Sequence, residues 1–98
     1  MRFGEYLRNL RERRNWLLRE VAAKTNMDTA LLSKIERGHR NARKEQVYAF
    51  AKAYKIDPEE LNKRWLVDKV IELLKDEENP QAILNAAEKE INQMKKDS

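Results

Sequence analysis

The chain has 98 residues and a formal net charge of +4, which suits one compact domain with a short extension. It contains only two Gly and two Pro, and charged residues make up 39% of the chain, so the composition favours helices over strands. Cysteine is absent, which excludes a disulfide framework and a thiolate metal site, and no apolar stretch approaches the roughly 20 residues that span a bilayer.

Charge is divided unevenly along the chain. Residues 1–56 carry 14 Lys and Arg against 6 Asp and Glu, whereas residues 57–98 carry 7 against 11. The basic amino-terminal part is suited to contact with a polyanion, although solvated helix faces are also unbalanced by chance. The first residues lack the apolar core of a signal peptide, so we expect a cytoplasmic protein without membrane contact.

Apolar periodicity predicts five short helices that begin before residue 62. Four are expected at about residues 2–14, 18–25, 28–37 and 44–54, and a fifth begins at Asp57 and Pro58. Asn26 is expected to end the second helix in a left-handed conformation, Asp28 to cap the third helix, and Gly38 to end it.

The rest of the chain exceeds what these five helices need. Apolar residues continue from Leu61 to Leu74, a polar break follows, and a last helix is expected at about residues 80–96 after the cap Asn79. The predicted fold class is all-α, with a five-helix domain over residues 1–61 and one or two C-terminal helices over residues 62–98.

Residues 18–38 have the spacing of a helix-turn-helix. Two helices of similar length flank a tight turn at Asn26, and Ala22 is small enough for the second of them to cross close by. With Leu32 and Ile35 turned inward, the outward stripe of that helix consists of Thr29, Ala30, Ser33, Lys34 and Arg37. Small residues at its N-terminal end would allow close approach to base edges in the major groove of DNA.

The segment LREVAAKTNMDTALLSKIERGHRNARKEQVYAFAKAYKID, residues 18–57, resembles the Cro/cI-type (XRE) helix-turn-helix regulators. The resemblance covers residues 3–61, and its most specific parts are Ala22, the SKIERG run at residues 33–38, and Ala49, Phe50 and Ala51. It implies a phage-repressor-like fold of four or five helices that acts as a homodimer on a near-palindromic operator.

The resemblance also implies roles for single residues. The positions that contact bases in the family are occupied here by Thr29, Ala30, Ser33 and Lys34. The positions that hold the sugar-phosphate backbone are occupied by Arg19, Arg37, Arg40, Arg43 and Lys44. Arg11 and Glu36 match a buried ion pair between the first and third helices. Leu18 stands where the family often has Gln, so no operator follows from better-known relatives.

Two interpretations of residues 62–98 stay open. In the first, these residues form a homodimer interface made of Leu66, Val70, Ile71, Leu74, Ile83, Leu84, Ala87 and Ile91. In the second, the last helices fold back on their own domain and enlarge its core. We favour dimerisation, because a 98-residue chain with few aromatics offers only a limited internal core. A dimer also suits DNA binding, since two recognition helices about 34 Å apart read successive major-groove faces.

The predicted function is that of a sequence-specific transcriptional regulator of double-stranded DNA, of the repressor or restriction–modification controller type. The alternative is an antitoxin, or another interaction module, that neutralises a protein partner through the C-terminal helices. An enzyme is not expected, because the chain has no Cys nucleophile, one histidine (His39) and no Gly-rich phosphate loop. No cofactor, metal or small-molecule ligand is expected.

Overall fold

The structure is a computed structural model that describes all residues 1–98. It contains six α-helices and no strand, so the predicted all-α fold class is confirmed. The helices are α1 (Phe3–Arg13), α2 (Leu18–Thr25), α3 (Thr29–Glu36), α4 (Lys44–Tyr54), α5 (Pro58–Leu74) and α6 (Pro80–Asp97).

Local sequence signals set most of the helix boundaries. The side chains of Asp28, Asp57 and Asn79 each accept a hydrogen bond from a backbone N–H two or three residues further on, at 3.4, 3.3 and 3.2 Å. Asn26 lies in the left-handed region with φ 54°, and Gly38 has φ 77° just after the end of α3. These predicted caps and ends are confirmed.

A single apolar core holds the first five helices together. It contains 13 buried residues, and among them Leu7, Leu32, Phe50 and Leu61 are completely inaccessible to solvent. The rings of Phe3 and Phe50 meet edge to face at 6.4 Å, which joins the start of α1 to α4. Leu61, near the start of α5, is the last buried member of the core, and Trp65 packs against the core one turn further on.

The second half of α5 and all of α6 lie outside this core. The predicted division after residue 61 falls inside α5, so the extension continues the fifth helix without a linker. No residue of α6 is buried. The second interpretation required both C-terminal helices to enlarge the core; α6 does not, whereas α5 packs on the core through Leu61 and Trp65. No helix is both long enough and apolar enough to cross a membrane.

Candidate nucleic-acid interface

The turn between α2 and α3 fixes the angle at which α3 leaves the domain. The backbone N–H of Met27 donates to the carbonyl of Ala22 at 2.9 Å, which closes the turn around Asn26. The hydroxyl of Thr25 is buried and donates to the carbonyl of Val21 at 2.7 Å, so this buried donor is not left unpaired. The result is a rigid helix-turn-helix over residues 18–36.

The inward side of α3 anchors the helix. Leu32 and Ile35 are buried in the core, as the periodicity predicted, with 0% and 2% of their surfaces exposed. Because these two residues are fixed, the rotation of α3 about its own axis is fixed as well. The opposite side of the helix must then face away from the domain.

The outward side of α3 carries the predicted base-contacting residues. Thr29, Ala30 and Lys34 are exposed and Ser33 is half-buried, so all four lie on the stripe that reaches solvent. Arg37 is also exposed, and its Nε donates to the carbonyl of Ser33 at 3.3 Å. This hydrogen bond holds the guanidinium of Arg37 beside the last turn of α3, at the C-terminal end of the stripe.

Further cations lie on the elements that flank α3. Arg19 is in the first turn of α2, Arg40 is in the loop after α3, and Arg43 and Lys44 begin α4. All four are exposed, and neither they nor Lys34 and Arg37 form an ion pair within the chain. Six cations around one helix are thus available to an anionic partner.

Arg11 and Glu36 form a two-pronged ion pair between α1 and the last residue of α3. Arg11 Nε donates to Glu36 Oε2 at 2.9 Å, and Nη2 donates to Oε1 at 3.1 Å. Glu36 is 5% exposed, and its carboxylate raises the pKa of Arg11 through these hydrogen bonds. Arg11 also donates to the carbonyl of Trp16 at 3.1 Å. Such a pair fixes geometry more than it adds stability.

A glycine that sequence reasoning did not single out brings α1 against α3. A Cβ built on Gly4 would lie 2.4 Å from the carbonyl oxygen of Ile35 and 2.6 Å from that of Glu36. Only glycine fits this approach. The only sign of this close approach in the sequence is a Gly inside a helical pattern.

The two tryptophans pack within the domain. Trp16 stacks on Tyr54 with ring centroids 5.6 Å apart, and the ammonium of Lys24 lies 4.8 Å from the Trp16 ring. Trp65 donates its indole N–H to the carbonyl of Ala42 at 2.9 Å, which ties α5 to the loop before α4. Burial raises the pKa of the Tyr54 hydroxyl.

The residues predicted for dimerisation lie on the C-terminal helices, and most of them are exposed. The exposed ones are Leu66, Val70, Ile71, Ile83, Leu84, Ala87 and Ile91. Leu74 is 8% exposed because it ends α5 at the turn toward α6, so it offers no surface to a partner. Part of this face is an apolar groove, whose lining includes Tyr48, Leu66, Val67, Val70, Ile71 and Leu84.

Comparison with known families agrees with this geometry. The sequence model of a family described as "Helix-turn-helix domain" matches residues 2–63. The chain belongs to this family, and its class is that of the helix-turn-helix DNA-binding regulators. None of the curated proteins compared with the chain matches it. The family match ends within α5, so it leaves the exposed apolar face of α5 and α6 outside.

Proposed function

We propose that the protein is a sequence-specific transcriptional regulator of the Cro/cI type that binds a near-palindromic operator as a homodimer. One observation carries the proposal. The outward side of α3 is exposed, small and polar, and six cations on it and around it form no ion pair within the chain. A recognition helix needs this surface, because its N-terminal end approaches base edges while the flanking cations neutralise phosphates.

Base recognition falls to the stripe on α3. Lys34 is the one cation at its centre and can donate to guanine O6 or N7. Thr29 can donate a hydrogen bond or pack its methyl group on a thymine, and Ala30 offers only a methyl group. Few side-chain hydrogen bonds are available, so DNA shape and flexibility should supply part of the selectivity.

Phosphate contact falls to the residues on either side of the stripe. Arg19, Arg40, Arg43 and Lys44 lie on three separate elements, which suits contact with both strands that border a major groove. Their contacts carry no sequence information, but they position α3 and give the affinity its salt dependence. No step of this function requires catalysis, a metal or a cofactor.

Dimerisation falls to the face that α5 and α6 leave exposed. Ile83, Leu84 and Ile91 of α6 are between 40% and 51% exposed, although the helix has one apolar side. Contiguous apolar surface of this kind marks an interaction site. A two-fold symmetric pair would cover this face in both copies and would present two α3 helices to one operator.

Two matched charge variants test DNA binding by α3. Ala30→Asp places a carboxylate on the recognition stripe, and Ala86→Asp makes the same change in net charge on exposed α6. We expect Ala30→Asp to weaken binding to a mixed-sequence duplex by more than about tenfold, because a misplaced like charge costs several kcal/mol. Fluorescence anisotropy of a labelled duplex measures the affinity of both variants. Equal affinities for the two variants would contradict the proposal.

The homodimer is tested separately by sedimentation. Val70→Glu should give a monomer, because the groove cannot bury an unpaired carboxylate, whereas Asn92→Glu on exposed α6 should remain a dimer. A wild-type protein that sediments as a monomer at all concentrations would contradict the dimer. It would favour the alternative, in which the same apolar face binds a different protein, as an antitoxin does.

A further inference from the structure

The inward side of α5 changes from apolar to acidic where the helix leaves the core. Leu61, Trp65, Asp68 and Glu72 follow one another at intervals of four, three and four residues, so they lie on one side of the helix. The first two pack on the core, but the next two are carboxylates. Leu66 and Val70, beyond Trp65, lie on the opposite side and are exposed. Apolar packing therefore holds only the first half of α5.

The second half is attached to the start of α1 by polar contacts. Asp68 Oδ2 accepts the backbone N–H of Phe3 at 3.0 Å, and Asp68 Oδ1 lies 3.1 Å from Arg2 Nε. Arg2 Nη2 donates to Glu72 Oε1 at 2.9 Å. Arg2 itself provides no side-chain cap to α1, so Asp68 caps that helix from another element. We call Arg2, Phe3, Asp68 and Glu72 the N-terminal clasp.

The clasp is continuous with the contact that holds the recognition helix. Gly4, the next residue of α1, lies directly against the carbonyl groups of Ile35 and Glu36 at the end of α3. Residues 2–4 thus touch α5 on one side and α3 on the other. A change in the direction of α5 would have to break the clasp or move α1.

We propose that Asp68 is a positioning residue that sets the angle between the dimerising helices α5 and α6 and the recognition helix α3. Through that angle it selects the distance between the two half-sites of an operator. This inference rests on the proposed function, because half-sites have meaning only for a dimer on DNA. The side chains of Arg2, Asp68 and Glu72 are 42%, 22% and 52% exposed, and ion pairs that reach solvent contribute little to stability, so the loss of these pairs should change geometry rather than unfold the domain.

Operators with altered spacing test the inference. Two copies of the half-site, identified by selection from random double-stranded DNA, are separated by a spacer that is changed in single base pairs, each of which moves a half-site by about 3.4 Å. Wild-type protein should prefer one spacer, and Asp68→Ala should lose that preference while it binds a single half-site as tightly as wild type. Asp68→Asn keeps an oxygen that can accept from Phe3 N–H and should recover part of the preference. Asp76→Ala, which removes a carboxylate outside the clasp, should behave as wild type.

A distance measurement reads the same angle without DNA. The chain has no cysteine, so Lys52→Cys on α4 and Leu73→Cys on α5, both exposed, give two unique sites for spin labels. Labelled chains diluted in unlabelled protein should give a narrow distance distribution in wild type and a broad one with Asp68→Ala. If Asp68→Ala does not fold by circular dichroism, Asp68→Asn and Glu72→Gln take its place.

The two proposals fail in different ways. A folded Asp68 variant that keeps both the spacer preference and the narrow distance distribution overturns the role of Asp68. A wild-type protein that selects no half-site or forms no dimer contradicts the proposed function instead. In that case the distance distribution alone decides whether Asp68 orients α5.

Discussion

The contact at Gly4 gives the sharpest prediction about how the recognition helix is held. In Gly4→Ala the new Cβ would lie 2.4 Å from the carbonyl oxygen of Ile35, whereas real Cβ atoms stay at least 3.0 Å away. The two helices must therefore separate by about 0.6 Å or more. The same carbonyl accepts the N–H of Gly38 at 3.1 Å, so the shift strains the end of α3. Overpacking of this kind costs about 1–3 kcal/mol.

Gly38→Ala is the matched control for this prediction. No atom lies within 4 Å of a Cβ at residue 38, but its φ of +77° is unfavourable for alanine by about 1 kcal/mol. Chemical denaturation should show lost stability in both variants. Amide chemical shifts of Ile35 and Glu36 should move strongly in Gly4→Ala, and operator affinity should fall with them under conditions where both variants are folded. A Gly4→Ala protein with wild-type stability and unmoved shifts would refute the reasoning.

Three further predictions concern single side chains. Lys34→Ala should weaken operator binding by about 1–3 kcal/mol and leave the affinity for random-sequence DNA almost unchanged, as measured by fluorescence anisotropy. Equal losses of affinity on both DNAs would make Lys34 a phosphate contact. Arg43→Ala should weaken binding to all sequences and reduce the slope of log affinity against log salt by about one, so an unchanged slope would remove Arg43 from the phosphate-contacting set. Hydrogen bonds from Arg2 and Lys75 hold the pKa of Glu72 in the folded protein below its ordinary value. Ionised Glu72 therefore stabilises the folded protein fully above the pKa that Glu72 has in the unfolded chain, and this stabilisation is lost as the pH falls through the pKa of Glu72 in the folded protein. Arg2→Ala should raise that pKa in an NMR titration, and an unmoved pKa would argue against the Arg2–Glu72 contact.

The sequence predicted the features that depend on neighbours along the chain. Caps at Asp28 and Asn79 and the left-handed turn at Asn26 need only the residues beside them, and the inward positions of Leu32 and Ile35 follow from helical periodicity. The outward side of α3 is the side opposite those inward residues. The candidate recognition surface therefore follows from local sequence pattern alone.

Contacts between distant residues could not be predicted in this way. Phe3 and Asp68 are 65 positions apart, and nothing local marks Asp68 as the cap of another helix. The apolar run in α5 gave no indication of which side would face the core, so Leu74 was assigned to a partner although it is buried within the chain. Residue 4 has to be glycine because two carbonyl groups of α3 lie against it. Only the packing of the helices brings these groups together.

Selection of bound sequences from a random pool of double-stranded DNA is the decisive experiment for recognition of the major groove by α3. We expect enrichment of a near-palindromic sequence whose half-sites are read by α3, and we expect Lys34→Ala to relax the selection at particular base pairs. Wild-type protein that enriches no sequence, or a sequence to which Lys34→Ala is indifferent, would contradict the claim that α3 reads the major groove.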